Sequence, residues 1–379
     1  MKDSKPASPD FLRPKRILVT RADRIGDLVL STPVFQELRR HFPRAFLACL
    51  TLLQNQDIVR GNLFLDEVIF YDKKGSEHGW FGNLKFASRL AAKHFDAVIH
   101  LHATNRMHLA AWLAGIPVRI GWKRKCAWAL THAYPDLKKE GKKHEAFYNF
   151  DLLAPLGLKA PEKIQTHFPL APRAASSLEA LVKFLRIPQD RPWVVLSPGA
   201  SCPSKRWPAE RFGRLGEKIA KQYRAALLVV GAREDRETAA RLAGQVSGPL
   251  WDLTGRLSLG MLGVLLKRSA MLISNDSGPV HIAAAVGTPV VSIFGRTDPG
   301  LSPVRWRPLG EFSRVVHKDP GCSPCLAHRC QIHFLCLDAV LVEDVWKEVC
   351  FFEDRLREPL GGSLPATEGT LKQGKGGIS

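Results

Sequence analysis

A polar turn between two apolar segments, Asn275-Asp276-Ser277-Gly278, is the part of this sequence best suited to binding a ligand. Residues 271–274 form a short apolar run before it, and Pro279 after it suits the first turn of a helix, where its missing N–H costs nothing. A helix N-terminus offers unpaired N–H groups and a positive dipole end, so a diphosphate would fit here. An ordinary turn without a ligand is the alternative interpretation.

The elements around this turn are predicted to form a strand, a helix and a second strand. The helix runs from Pro279 to a left-handed cap at Gly287, and Val290–Phe294 is a β-branched run typical of a buried parallel strand. Ligands of open α/β sheets bind beyond the carboxyl ends of the strands, which is where the turn would lie.

The length of 379 residues and the 45% apolar content suffice for two domains of ordinary size, each with its own core. No apolar run approaches the roughly 18 residues that span a bilayer, and the first residues lack the apolar core of a signal peptide. We therefore expect a cytoplasmic protein.

The formal charge of +19 predicts attraction to a polyanion, which could be nucleic acid, an anionic membrane face or an acidic substrate. The sequence contains no helix-turn-helix, two-histidine zinc finger or aromatic RNA-binding pattern. We therefore expect no nucleic-acid partner and favour an anionic lipid or glycolipid.

Strand-like and helix-like segments alternate along the chain. In the first half we predict strands at 16–20, 46–52, 67–71 and 95–102, and helices at 28–42, 86–94, 107–113 and 145–156. In the second half we predict strands at 193–197, 225–231, 250–253, 271–274 and 290–294, and helices from 208, at 233–245, at 259–268, after 279 and at 344–356. Pro33 is predicted to kink the first helix or to restart it with Thr32 as the cap. The alternation predicts an α/β fold of two Rossmann-like domains.

Three stretches taken together resemble glycosyltransferase family 9, the ADP-heptose:lipopolysaccharide heptosyltransferases. They are RILVTRADRIGDLVLSTPVFQELRRHFP at 16–43, SPGASCPSKRWPAERF at 197–212, and MLISNDSGPVHIAAAVGTPVVSIFGRTDP at 271–299. With FDAVIHLH and LTGRLSLGMLGVLLKRSA between them, they cover most of 16–345 in one order.

The resemblance implies a GT-B architecture, in which two Rossmann-like doubly wound domains face each other across a cleft. On this basis we predict a flexible N-terminus at 1–15, an acceptor-binding domain at 16–165 and a linker at 166–190. A nucleotide-sugar-binding domain would follow at 191–358, and a disordered tail at 359–379.

The resemblance also implies functional residues. Asp27 matches the proposed general base. The positions that match donor contacts are Ser201, Lys205, Asp235, Leu257, Asp276, Ser277, Gly278, Pro279 and His281.

Most donor positions have an implied part of the donor to contact. Lys205 matches the lysine near the diphosphate and sugar, and Ser201 a hydroxyl contact to phosphate. Asp276 matches the acid that contacts the donor sugar, and the turn after it a cradle for the diphosphate. Asp235 falls where the family places an acid on the ribose, and Leu257 where an apolar side chain lies against adenine.

Sugar transfer requires these residue types, because displacement at an anomeric carbon needs a base for the acceptor hydroxyl and positive potential for the departing diphosphate. No Asp-X-Asp sequence occurs in the chain, which disfavours a metal-bound diphosphate. Lys205 and the helix N-terminus at Pro279 would then neutralise it. We expect no metal or other cofactor, ADP-heptose as donor, a lipopolysaccharide inner-core precursor as acceptor, and inversion as the family implies.

Each assignment has a structural alternative. Asp27 could cap the helix that follows it, and Lys205 with Arg206 could be an exposed pair. His281 could be a core histidine whose ring nitrogen is held by the backbone. His100 and His102 alternate along a predicted strand and so would share one face, where a buried polar pair is favoured over contact with the acceptor.

The segment 119–144 is strongly basic. Seven cations crowd together in it, Lys123, Arg124, Lys125, Lys138, Lys139, Lys142 and Lys143, with only Asp136 and Glu140 to oppose them. A solvated loop is one interpretation. The other is a surface that meets the anionic acceptor and gives peripheral contact with the inner membrane face, for which Lys123, Arg124, Lys138, Lys139, Lys142 and Lys143 are the candidates.

Four of the eight cysteines are crowded together, as Cys322, Cys325, Cys330 and Cys336. Their thiolates could surround one zinc ion or an iron–sulfur cluster, although the spacing fits neither common zinc pattern well. Reduced structural thiols are the favoured interpretation, since a reducing compartment disfavours disulfides.

Two other functions compete with heptose transfer to lipopolysaccharide. One is a related transferase that uses another nucleotide sugar. The other is a non-catalytic sugar-nucleotide or glycolipid-binding protein of the same fold, against which the combination of Asp27 and Lys205 argues.

Overall fold

A computed structural model of the protein describes residues 12–72, 75, 77, 79–322 and 324–357. Residues 1–11 of the flexible N-terminus expected at 1–15 lie outside the described residues, and so does the disordered tail expected at 359–379. Within the described part, two six-stranded sheets with flanking helices form the two halves of the molecule.

The amino-terminal half contains six strands and six helices among the described residues. Its strands are β1 Arg16–Thr20, β2 Phe46–Leu52, β3 Glu67–Tyr71, β4 Ala97–His100, β5 Val118–Trp122 and β6 His132–Tyr134. Its helices are α1 Ile25–Val29, α2 Thr32–His41, α3 Gln56–Val59, α4 Gly79–Ala91, α5 Asn105–Leu113 and α6 Glu145–Asp151. Helix α7, Pro172–Phe184, follows in the stretch that the sequence predicts to be the linker.

The carboxyl-terminal half repeats this arrangement. Its strands are β7 Trp193–Ser197, β8 Ala226–Val229, β9 Leu250–Asp252, β10 Met271–Asn275, β11 Val290–Phe294 and β12 Ser313–His317. Its helices are α8 Ala209–Tyr223, α9 Arg236–Ala243, α10 Leu259–Arg268, α11 Gly278–Val286, α12 Pro303–Trp306, α13 Leu335–Asp338, α14 Val342–Cys350 and α15 Glu353–Arg357.

All the strand pairs of both sheets are parallel, in the orders β3-β2-β1-β4-β5-β6 and β12-β11-β10-β7-β8-β9. Each order reverses once, between β1 and β4 and between β7 and β10, which is the doubly wound arrangement with its ligand-binding switch point. The predicted α/β class with two Rossmann-like sheets is therefore confirmed.

Successive residues of the central strands pack on opposite faces of their sheets, as the period of two in a strand requires. In β1, Ile17 and Val19 belong to one apolar core and Leu18 to another. The core around Ile17 also contains Val195 and Leu272 of the second sheet. The apolar interior is therefore continuous between the two halves.

The predicted helix 28–42 is two helices, because Pro33 cannot donate a backbone hydrogen bond in the middle of a helix. Helix α1 ends at Val29, and α2 begins with Ser31 rather than Thr32 at its N-cap and with Pro33 in its first turn. The hydroxyl of Ser31 donates to Asp27 O at 2.8 Å and that of Thr32 to Val29 O at 2.7 Å, which stabilises the break.

Candidate active site

The guanidinium of Arg21 is buried directly after β1, at the switch point of the first sheet. Arg21 donates to Asp23 at 2.9 Å, to Glu145 at 3.2 Å and to Asp27. Its remaining contacts are Leu101 O at 3.1 Å and Asn149 Oδ1 at 3.2 Å. A buried arginine with this many acceptors fixes the carboxylates around it.

Glu145, at the start of α6, is the centre of the charge network. It pairs with Lys138 Nζ at 2.6 Å and with Arg305 of the carboxyl-terminal half at 2.7 Å, in addition to Arg21. Burial raises the pKa of this carboxyl, but Lys138, Arg21 and Arg305 together lower it to about 2. Glu145 is therefore ionised at neutral pH, and its pair with Arg305 ties the two halves together.

Asp27 lies in α1 and lines a cavity of about 360 Å³. The N-cap of α1 is Arg24, without a side-chain capping bond, so the capping alternative for Asp27 does not hold. The cavity is also lined by Asp23, His102, Arg124, Lys125, Lys138, Lys139, Glu145, Arg305 and Trp306. A carboxylate therefore faces a space that could admit a sugar hydroxyl.

Asp23 is a second carboxylate at this cavity. Its Oδ2 lies 3.2 Å from His102 Nδ1, on the side away from Arg21. Burial raises the pKa of Asp23 to about 7, against the lowering by Arg21 and with a further rise from Asp27 and Glu145. Burial and Arg21 lower the pKa of His102 to about 4, so its imidazole is neutral at pH 7.

The predicted pairing of His100 with His102 is wrong, because β4 ends at His100 and His102 lies in the loop beyond it. His100 is buried, 2.9 Å from the Thr20 hydroxyl, and its ring packs 4.8 Å from that of His108. Only His102 reaches the cavity.

In the carboxyl-terminal half, Asp276 forms a buried charge cluster. Lys205 Nζ lies 2.8 Å from Asp276 Oδ2, and Arg296 donates to the same oxygen at 2.8 Å. Lys205 also donates to Asp276 O at 3.1 Å. Lys205 is therefore not an exposed partner of Arg206, and two cations converge on one carboxylate beside the turn before α11.

Helix α11 begins with Ser277 at its N-cap, and the Ser277 side chain makes no capping hydrogen bond with the helix. Its hydroxyl lies instead 3.1 Å from that of Ser274. Pro279 occupies the first turn, as predicted, and Gly287 adopts the left-handed conformation at φ 79°. The first turn of α11 therefore has N–H groups that no side chain caps.

The starts of α1 and α11 are in direct contact between the two halves. A Cβ on Gly26 would lie 2.6 Å from His281 Cδ2, and one on Gly278 would lie 3.1 Å from Ile25 Cγ2. Burial and the neighbouring His144 and Lys205 lower the pKa of His281 to about 3. Its Nδ1 has no hydrogen-bond partner among the described residues, so no backbone group there holds that nitrogen.

The remaining donor candidates lie in the same half. Asp235 accepts the Ala232 N–H at 2.9 Å and lies beside Gly199, where a Cβ would come within 2.3 Å of its carboxylate. Leu257 is half-buried, and Ser201 is exposed. None of these three side chains belongs to the Lys205–Asp276–Arg296 cluster.

The basic segment is not a uniformly solvated surface. Lys138 is buried against Glu145 and lies 4.9 Å from the Trp122 ring centre, so the expectation that it meets solvent is wrong. Carboxylates also neutralise some of the other cations, in the pairs Arg124–Asp136 at 2.8 Å, Lys142–Glu140 at 2.8 Å and Lys143–Asp151 at 2.9 Å. Of the seven cations named for this segment, those without a carboxylate partner among the described residues are Lys123, Lys125 and Lys139.

The four crowded cysteines line one cavity of about 130 Å³ beside Thr297. All are free thiols and half-buried. Within the described residues, no group of three or more His, Cys, Asp or Glu side chains is arranged to hold a metal ion. Metal binding and reduced structural thiols both remain predictions, which metal analysis of protein purified without chelator distinguishes.

Four charged residues of the site are not among those that the sequence predicts, namely Arg21, Glu145, Arg296 and Arg305. Arg21 and Arg296 lie inside the first and third family-like stretches, three residues or fewer from a strand end, which was an available signal. Glu145 and Arg305 are 160 residues apart, and only the folded chain brings them together.

No helix in the described part of the chain is long and apolar enough to cross a membrane.

Comparison with known proteins gives consistent matches. Residues 83–335 match the model of glycosyltransferase family 9 (heptosyltransferase). Lipopolysaccharide heptosyltransferase 3 of Escherichia coli K12 is 28% identical over 300 residues, which cover 76% of this chain and 83% of that protein.

Two solved structures share the fold. One is the glycosyl transferase family 9 protein of Veillonella parvula, with a TM-score of 0.81 at 25% identity, covering 90% of this chain and 97% of that one. The other is the E. coli ADP-heptose lps heptosyltransferase II, with a TM-score of 0.72 at 21% identity, covering 89% and 98%. The architecture is therefore that of these GT-B enzymes.

Proposed function

The chain belongs to glycosyltransferase family 9, the heptosyltransferase family, and from this premise we propose that it transfers heptose from ADP-heptose to the lipopolysaccharide inner core with inversion. The observation that carries the proposal is the contact between the starts of α1 and α11. This contact joins α1, which carries Asp27, to α11, which begins directly after Asp276 and Ser277.

In this proposal Asp27 is the general base. The acceptor hydroxyl attacks the anomeric carbon, its proton passes to the Asp27 carboxylate, and the bond from that carbon to the diphosphate oxygen breaks. Arg21 holds Asp27 against the cavity. Asp23 is the alternative base, since burial raises its pKa to about 7 and a base works best near the operating pH.

The leaving ADP would be stabilised from the carboxyl-terminal half. Lys205 and Arg296 supply two positive charges, and the uncapped first turn of α11 supplies N–H groups, so charge on the diphosphate is met without a metal ion. Asp276 keeps both cations in place and would contact the donor sugar. The other proposed contacts are Ser201 to phosphate, Asp235 to the ribose and Leu257 to adenine.

The acceptor would enter from the basic side of the cavity. Arg124 and Lys139 line this cavity together with Asp27, and anionic groups of a lipopolysaccharide precursor would be attracted to them. Lys138 would act through Glu145 rather than on the acceptor. We propose residues 16–165 as the acceptor domain, 191–358 as the donor domain, and a cytoplasmic enzyme that touches the inner membrane face.

A transfer assay tests the function. Purified protein is mixed with ADP-heptose and a heptose-deficient inner-core acceptor, and ADP and heptosylated acceptor are measured together. We expect both products in equal amounts. Transfer only from another nucleotide sugar would identify the related transferase, and donor binding without any transfer would identify a binding protein. Mass spectrometry of lipopolysaccharide from a deletion strain would give the heptose position.

A further inference from the structure

An exposed tryptophan pair lies on the amino-terminal half, outside the site described above. Trp112 near the end of α5 and Trp128 in the loop between β5 and β6 have ring centres 5.4 Å apart at 75°. Their exposed fractions are 46% and 66%, and Leu113 beside them is 46% exposed. Clustered large apolar side chains in water mark an interaction surface.

Unpaired cations precede Trp128 on the same loop. Lys123 and Lys125 are exposed and have no carboxylate partner among the described residues. The loop starts directly after β5 and folds back so that Ala127 N–H donates to Lys125 O at 2.8 Å. The loop therefore presents positive charge and aromatic surface within a few residues of each other.

The loop that carries Trp128 also reaches the cavity that contains Asp27. Arg124 and Lys125 line the cavity, and Trp128 follows three residues later. The same loop therefore connects the tryptophan pair with that cavity.

We propose that Trp112, Leu113 and Trp128 dock the enzyme on an anionic phospholipid bilayer, with Lys123 and Lys125 contacting the lipid phosphates. The inference rests on the proposed function, in which the acceptor is a glycolipid held in that bilayer. Tryptophan prefers the interface between headgroups and acyl chains, where its ring is apolar and its N–H is wet. Lysines beside it are attracted to anionic headgroups.

The charges favour a bilayer over a second copy of the chain. In a two-fold dimer the same patch meets itself, so Lys123 and Lys125 of both copies would be brought together. The net charge of +19 adds to that repulsion. Lipid phosphates instead offer the opposite charge to these lysines.

Vesicle binding tests the surface directly. Wild-type protein is sedimented with vesicles of phosphatidylcholine alone or of phosphatidylcholine with phosphatidylglycerol. We expect binding about tenfold tighter to the anionic vesicles, weakened by salt, with a blue shift of tryptophan fluorescence. The variant Trp112→Ser/Trp128→Ser should lose about tenfold in binding at an unchanged melting temperature. The matched control is Phe184→Ser, which removes another exposed aromatic ring, on α7, and should bind as wild type does.

Activity on two acceptors separates this inference from the proposed function. The double variant should keep wild-type kcat on a water-soluble inner-core oligosaccharide and lose activity on the lipid-linked acceptor in vesicles. Wild-type vesicle binding by the double variant would overturn the inference, and so would a wild-type dimer that the substitutions dissociate while vesicle binding is unchanged. Absence of wild-type transfer to either acceptor would overturn the proposed function instead.

Discussion

Arg305 donates two hydrogen bonds, at 2.7 and 2.9 Å, to one carboxylate oxygen of Glu145. The other oxygen of Glu145 accepts from Lys138 at 2.6 Å and from Arg21 at 3.2 Å. Because Arg21 also holds Asp27, a continuous series of ion pairs runs from the carboxyl-terminal half to the proposed base. The packing of the two halves and the position of Asp27 therefore depend on the same buried charges.

Glu145→Gln should destabilise the protein strongly, because it removes the negative charge that three cations share. Breaking a buried ion pair on one side costs about 3–5 kcal/mol, and we expect a loss of this size in the free energy of unfolding. Chemical denaturation measures it. The control Glu311→Gln replaces an exposed carboxylate 3.9 Å from Lys163 and should change little. A loss below about 1 kcal/mol for Glu145→Gln would contradict the assigned network.

Asp23 should make stability depend on pH in the direction opposite to an ordinary salt-bridged carboxylate. Burial raises its pKa in the folded protein to about 7 from 3.8, so the folded state holds the proton more tightly. The contribution of Asp23 to the free energy of unfolding is fully present below pH 3.8 and is lost as pH rises through about 7. Relative to Asp23→Asn, the wild type should therefore lose stability as pH rises from about 4 to about 7. If the free energy of unfolding changed with pH in the same way in both proteins, the raised pKa of Asp23 would be contradicted.

The sequence was sufficient for most of the fold, because buried parallel strands are apolar throughout. The strands predicted at 290–294 and 193–197 have the same bounds as β11 and β7. Strands β5, β6 and β12 were missed. Exposed or charged residues interrupt them, such as Arg119 in β5, and β6 has three residues at a sheet edge. The sequence does not predict helix α7, which lies in the expected linker, because its buried residues Leu178 and Val182 pack against the neighbouring helix α10 only in the folded chain.

The candidate site was predictable only where its residues are close in sequence. The turn at Asp276 and the loop at Asp27 could be found as local patterns, although their functional roles stay predictions. The charge of Lys138 suggested a solvated side chain, whereas the fold buries it beside Glu145. Pairing between distant charges is set by the packing of the two halves, and no local pattern encodes it.

Lys205→Ala should weaken donor binding and transfer, because it removes one of two cations beside the proposed diphosphate site. We expect a loss of about 2–4 kcal/mol in transition-state stabilisation, calculated from the ratio of the kcat/KM values. Calorimetry with ADP measures the part of this loss that arises in binding. The matched control is Arg206→Ala, which removes one positive charge at the next position along the chain. The Arg206 side chain is exposed and donates to Ala200 O. Equal losses in both variants would mean that overall charge, and not Lys205, holds the donor.

The unpaired lysines should determine how the acceptor KM changes with salt. Lys123→Ala, Lys125→Ala and Lys139→Ala combined should raise the acceptor KM several-fold at low salt and leave the donor KM nearly unchanged. Salt screens such contacts with a Debye length of about 10 Å at 0.1 M, so the difference from wild type should shrink as salt is added. The control Lys142→Ala/Lys143→Ala removes cations that have their own carboxylates and should have the smaller effect. An acceptor KM unaffected by the triple change would exclude this surface.

Asp27→Asn tests the proposed base while preserving the size of the side chain. Arg21 loses one partner in this variant but keeps Asp23 and Glu145, so the melting temperature and the affinity for ADP should stay near the wild-type values. An amide cannot accept the proton of the acceptor hydroxyl, so kcat should fall at least about a hundredfold.

The parallel variant Asp23→Asn decides between the two carboxylates at the cavity. If Asp27 is the base, Asp23→Asn changes only the contacts of Asp23 with Arg21 and His102. The kcat of this variant should then fall by less than about tenfold. The reverse order, with Asp27→Asn retaining more than about a tenth of wild-type kcat and Asp23→Asn losing more, would transfer the role to Asp23. In that case the acidic limb of the rate profile should follow the pKa of Asp23, near 7, because the base must be ionised to accept a proton.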